Sequence, residues 1–257
     1  MTQLPRIALA LFLCIQAMPA QSMVSAAHPL ATDAGVEMLT AGGSAIDAAI
    51  AIQAVLTLVE PQSSGIGGGA FLLHYGSQDG RIQAFDGRET APKLVQETHF
   101  LDSNDQPLAF LDAVPGGRSV GVPGLLRMLE TAHAEHGVLP WHRLFEPAIR
   151  LAENGFTVTP RLAEMLRLDL PLNAFEPMAS YFFPDGEPID AGMQLKNPAL
   201  ANTLKQIANN GADAFYEGPI AEAIVETVQR HDGLLTLDDM AEYQAVERAP
   251  ICRVIAL

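Results

Sequence analysis

The chain has 257 residues, 49% of them apolar and 18% charged, a composition that supports a sizeable core, in one large domain or two smaller ones. Fifteen Lys and Arg stand against 30 Asp and Glu, a formal charge of −15. That balance argues against nucleic acid or an anionic membrane surface as a partner, since binding to either needs cations on the protein.

Residues 1–20 read as an export signal. Arg6 is followed by the apolar run Ile7 to Ile15 and then by the small-residue stretch Ala17 to Ala20. The location this implies is the periplasm or the outside of the cell. A membrane anchor left by an uncleaved signal is the alternative, but the run falls short of the ~20 apolar residues of a spanning helix. Cleavage after Ala20 removes Cys14 and leaves Cys252 without a disulfide partner. The "LFLC" at 11–14 is a poor lipidation box, because bulky Leu13 precedes the cysteine.

Pro29 to Ala41 has helical apolar spacing and stops at Gly42-Gly43. Ser44 and Asp47 form a capping box for a second helix, Ala45 to Leu58, which is apolar nearly all round and therefore predicted to be buried on most sides. Phe71 to Tyr75 and Arg81 to Phe85 flank a Gly-containing loop and predict a β-hairpin. Beyond a Pro- and Gly-rich passage, Ala113 to Gly124, helices are predicted at Leu125 to Glu135, Trp141 to Glu153, Arg161 to Leu168, Pro198 to Asn209 and Pro219 to Arg230. Asn197 is the expected N-cap of the fourth of these, and Thr236 caps a last short helix. The closing "ICRVIAL" leans towards a strand.

The stretch Gly65-Ile66-Gly67-Gly68-Gly69-Ala70 has the letters of a dinucleotide fingerprint. Its context is inverted: a helix precedes it and a strand follows, so no helix N-terminus is expected to face the glycines. With no lysine before Lys93, a phosphate loop of the NTPase kind is also absent. A close passage of bare backbone is the better reading.

His133 and His136 lie three apart on a predicted helix, but without a third ligand at set spacing an exposed polar face explains them better than a metal. No metal or other cofactor is expected. Cys252, between apolar neighbours, is expected to be a buried thiol rather than a nucleophile. Arg88, in "FDGRETAP" between Asp86 and Glu89, offers a fork suited to a carboxylate. Spacing alone favours an ordinary ion pair there.

Taken together, Met23 to Leu73 with its "SSGIGGGAF", Phe85 to Pro92 with its Asp-x-Arg-x-x-Ala-Pro, Ala113 to Phe156, and Asp232 to Ile251 with "DGLLTLDDMAEYQAVERAPI" resemble the gamma-glutamyltransferase (glutathione hydrolase) family. The resemblance implies an α+β, N-terminal nucleophile hydrolase of four αββα layers, made as a precursor that cuts itself into two subunits. Residues 23–257 would be a helix-rich, truncated large-subunit part without the complete core. It further implies cleavage of gamma-glutamyl amides such as glutathione, with the gamma-glutamyl group passing to water or an amino acid through an N-terminal threonine of the small subunit. The family's α-carboxylate-binding arginine carries over to Arg88. No catalytic residue is expected in this chain, and Thr98, which precedes His99, is a decoy. Two alternatives are a related acylase acting on dicarboxylic acyl amides and a non-catalytic, partly folded remnant.

Overall fold

The computed structural model describes residues 22–252. The export signal at 1–20 and the end of the predicted terminal strand lie outside them. Two long helices come first, α1 (Pro29–Thr40) and α2 (Ala45–Val59). The hairpin β1 (Ala70–Tyr75) and β2 (Ile82–Gly87) follows, then short α3 (Phe110–Ala113) and α4 (Leu125–His136). A 3₁₀ turn at Trp141–Phe145 leads into α5 (Glu146–Asn154), followed by β3 (Phe156–Thr157), α6 (Pro160–Met165), α7 (Met178–Phe182) and β4 (Gln194–Leu195). The described chain ends with α8 (Pro198–Asn210), α9 (Asp213–Tyr216), α10 (Pro219–Arg230), α11 (Leu237–Glu242) and β5 (Val246–Arg248). Helix and sheet are thus mixed, with helix predominating.

The apolar character of α2 has the expected consequence: Ile46, Ile50, Val55, Leu58 and Val59 are buried, each side chain contributing about 1.5–3 kcal/mol of apolar transfer. α1 packs along it, and α5 and the 3₁₀ turn cover other sides. Its capping box forms as predicted, Ser44 Oγ accepting from Asp47 N–H at 3.1 Å and Asp47 accepting from Ser44 N–H at 2.8 Å. The fully buried Asp47 carboxylate also accepts from the amides of Val138 and Leu139, both at 3.0 Å. The helix cap therefore ties down the loop after α4, so this buried charge has the hydrogen bonds it requires.

Prolines account for two departures from the expected helices. Pro147 has no N–H and fits only a first helical turn, so the predicted Trp141 to Glu153 helix divides into the 3₁₀ turn and α5. α6 starts at Pro160 behind Thr159, whose hydroxyl accepts from Leu162 N–H at 3.2 Å. It ends early, where the Arg167 guanidinium donates to the Ala163 carbonyl at 2.6 Å. Asn197 caps α8 as predicted, accepting from Leu200 N–H at 2.9 Å.

The main sheet has the order β1-β2-β5, antiparallel throughout, with Leu72 opposite Phe85 and Asp86 opposite Val246. The third strand lies upstream of the predicted one. Pro250 cannot donate to a ladder and the pairing stops at Arg248, so Ile251 and Cys252 are left exposed. The expectation of a buried Cys252 thiol is therefore wrong. Among the described residues no helix is long and apolar enough to cross a membrane.

Candidate functional site

The alternation of β1 and β2 sorts their side chains onto two faces. Gln83, Phe85 and Gly87 are buried on the face against α4. Phe71, Leu73 and Tyr75 point the other way and are largely exposed, joined on that face by Ile82 and Val246. At the end of β2, at the rim of this open face, stands Arg88.

Arg88 is held at several points. Its N–H donates to Asp86 Oδ1 at 2.9 Å, and Arg248 on β5 donates to the other Asp86 oxygen at 2.5 Å. The Arg88 N–H and, next, Arg248 keep the Asp86 carboxyl below its ordinary value. The Arg88 guanidinium lies 3.2 Å from a Glu89 carboxylate oxygen, an ion pair without hydrogen-bond alignment, and reaches the Gly69 carbonyl at 3.5 Å. Its side chain is 53% exposed, and the carbon of the fork lies 6.0 Å from the centre of the Phe71 ring. The two acidic neighbours divide the work: Glu89 pairs with the guanidinium, while Asp86 secures the Arg88 backbone. The geometry leaves a steered but unsaturated cation, suited to receive an anion from the open side.

The glycine stretch forms the floor of this corner. A Cβ on Gly69 would lie 2.6 Å from the Gly87 carbonyl oxygen and 2.8 Å from the Glu89 nitrogen, so only glycine lets the two segments pass. The expectation that no helix N-terminus faces the glycines needs correction. The start of α4, distant in sequence, meets Gly68, whose carbonyl accepts from the amides of Gly124 and Leu125 at 3.0 and 3.1 Å. That carbonyl occupies amides a phosphate would need. The close-passage reading of the glycines holds.

Other sequence candidates fall elsewhere. Thr98 is exposed, and His99 is engaged with Arg118, its Nε2 meeting that residue's carbonyl at 2.8 Å. They form no nucleophile and base pair. His133 and His136 are not on an exposed polar face. His133 Nε2 meets the Leu139 carbonyl at 2.9 Å, and His136 Nε2 meets Gln83 Oε1 at 2.6 Å while its ring stacks on His74 at 3.9 Å. β1 and the loop after α4 fold back over that part of the helix. Among the described residues no group of three or more His, Cys, Asp or Glu has metal-binding geometry. A larger cavity, about 860 Å³, lies between α2, α6, α7 and α8 and is lined mainly by Leu, Met and Pro. Volume alone would select it, and Lys196 is the one charged residue in its lining, but the cation whose backbone is fixed while its fork stays half-exposed is Arg88. Sequence reasoning missed Arg248 and Tyr243, whose hydroxyl donates to the Arg88 carbonyl at 2.7 Å. More than 150 residues separate each from this corner, so no local pattern links them to it.

The gamma-glutamyltranspeptidase family profile matches residues 31–256, nearly all of the described chain. The chain belongs to the gamma-glutamyltranspeptidase family. It is 40% identical over 229 residues to the glutathione hydrolase proenzyme of Bacillus subtilis, covering 89% of this chain and 39% of that protein. The crystal structure of Helicobacter pylori gamma-glutamyltranspeptidase superposes with a TM-score of 0.85 at 34% identity, covering 90% of this chain and 66% of that one. A cephalosporin acylase from Bacillus halodurans superposes with a TM-score of 0.73 at 30% identity, over 92% of this chain and 46% of that one. The chain spans about two fifths of the length of the curated relatives it matches.

Proposed function

We propose that this chain is the large-subunit part of an exported enzyme that cleaves gamma-glutamyl amides such as glutathione and passes the gamma-glutamyl group to water or an amino acid. In this reading Arg88 binds the α-carboxylate of the gamma-glutamyl group. The small, C-terminal subunit of the same precursor covers the open sheet face, completes the αββα layers and supplies the N-terminal threonine that attacks the amide. The chain alone turns nothing over. The observation that carries the reading is the half-exposed Arg88 fork, fixed at its backbone and only loosely paired at its tip, on a motif and fold shared with that family. An apolar sheet face left open beside it supports the partner, because contiguous exposed apolar surface marks an interaction site. Export rests on the signal-like Ile7 to Ile15 run.

A second reading, an acylase for dicarboxylic acyl amides, is supported by the likeness to the cephalosporin acylase. The test is to supply the small-subunit segment and compare turnover of a gamma-glutamyl anilide with that of the glutaryl anilide, which keeps the carboxylate and lacks the α-amine. Preference for the gamma-glutamyl donor is the expected result. Preference for the glutaryl donor would establish the acylase, and turnover of neither would leave a non-catalytic remnant.

A further inference from the structure

Tyr243 lies immediately beyond α11 and is 5% exposed. Its hydroxyl donates to the carbonyl oxygen of Arg88 at 2.7 Å, across 155 positions of sequence. Space for that hydroxyl depends on a glycine: a Cβ on Gly124 would lie 2.1 Å from the Tyr243 oxygen and 2.3 Å from the Gly87 carbonyl. Behind it the ring runs parallel to Tyr216, 7° between planes and 6.0 Å between centres. Tyr216 is anchored in turn, donating to the Pro123 carbonyl at 3.0 Å and accepting from Arg127 N–H at 3.2 Å. The Arg127 guanidinium sits over its ring at 4.6 Å.

The Arg88 peptide is therefore clamped on both sides, its N–H by Asp86 and its C=O by Tyr243. Two residues on, Thr90 exchanges backbone hydrogen bonds with Val122. A long arginine side chain is a precise carboxylate receptor only if its Cα and its first torsions start from a fixed place. The guanidinium's own contacts are weak, so the backbone has to supply that precision. Burial, with Asp86 and Glu89 nearby, raises the Tyr243 phenol above its ordinary value, which keeps it a donor across the working pH range.

We infer that Tyr243 is a positioning residue for the donor α-carboxylate: through its hydrogen bond to the Arg88 carbonyl it sets where the Arg88 fork meets the substrate. The inference rests on the assignment of Arg88 to that carboxylate and extends it to a residue that touches no substrate.

The test uses the chain assembled with its small subunit and two anilide donors, gamma-glutamyl and 4-aminobutyryl, which differ only in the α-carboxylate. The quantity read is the ratio of their kcat/KM values, which cancels the fraction of active enzyme and so holds even if a variant folds poorly. Tyr243→Phe keeps the stacked ring and removes one hydrogen bond; it is expected to lower the ratio about tenfold, mainly through KM of the gamma-glutamyl donor. Tyr216→Phe, which loses comparable bonds one layer further back, is expected to lower thermal stability and leave the ratio unchanged. Arg88→Ala is expected to bring the ratio near one, and adding Tyr243→Phe to it should change the ratio no further. If Arg88→Ala lowers the ratio but Tyr243→Phe does not, the positioning role is refuted and the Arg88 assignment stands. If Arg88→Ala leaves the ratio at its wild-type value, the Arg88 assignment falls and the role of Tyr243 falls with it.

Discussion

On one face of the β1-β2-β5 sheet, Phe85 is 1% exposed and Gln83 5%, against α4. On the other face of the same strands, Phe71, Leu73 and Tyr75 are 69%, 72% and 64% exposed. Strand propensity and alternation are alike on both sides, so local sequence does not set them apart. The difference lies in what each face packs against. The buried face is closed by helices of this chain, while the open one carries an apolar stripe with a tethered arginine at its rim. One hairpin thus carries a core layer on one side and an open apolar layer on the other.

The contrast can be tested by mutation, the largest effect coming from the closed face. Phe85→Ala should destabilise the chain by about 3–5 kcal/mol through loss of buried area and the cavity left behind. Leu73→Ala, one strand away on the open face, should change it by no more than about 0.5 kcal/mol. Urea titrations of both variants check this, and equal losses would mean that the open face is already packed within the chain. At the corner where the faces meet, Gly124→Ala places a methyl against the Gly87 carbonyl and the Tyr243 hydroxyl. Overpacking of that kind should cost about 1–3 kcal/mol, measurable as a lower midpoint in the same titration.

A smaller effect comes from pH. Burial and the adjacent His136 ring hold His74 below its ordinary value of 6.5. His28, desolvated at the start of α1, shifts the same way. A base with a lowered folded-state pKa takes up its proton more readily in the unfolded chain. The associated stability is therefore complete above about pH 6.5 and is lost as pH falls through the lowered values. Thermal melts should show a falling midpoint from about pH 7 to pH 5, and His74→Gln should flatten part of that slope.

Much of the helical frame was legible in the sequence, because caps and apolar periodicity are local. The Ser44 and Asp47 box, the Asn197 and Thr236 caps and the two-stranded hairpin form at or near their expected positions. Features set by tertiary contact were not legible. Asp47 reads as a cap and also holds the loop at Val138 and Leu139. His136 reads as a surface residue and is covered by His74. Val246 to Arg248 carries no strong strand pattern, yet it pairs with β2 and brings Arg248 to Asp86. For the candidate site, the sequence motif pointed to Arg88. The backbone clamp around it depends on Tyr243, Arg248 and the close glycine passages at Gly69 and Gly124, which only the fold brings together.

The central claim is that Arg88, at the rim of the open face, receives the donor's α-carboxylate. The most direct test is the rate of release from a gamma-glutamyl anilide by the chain assembled with its small subunit, with and without Arg88→Ala. Loss of a charge-assisted bidentate contact should lower kcat/KM on the order of a hundredfold. An unchanged kcat/KM in the variant would contradict the claim.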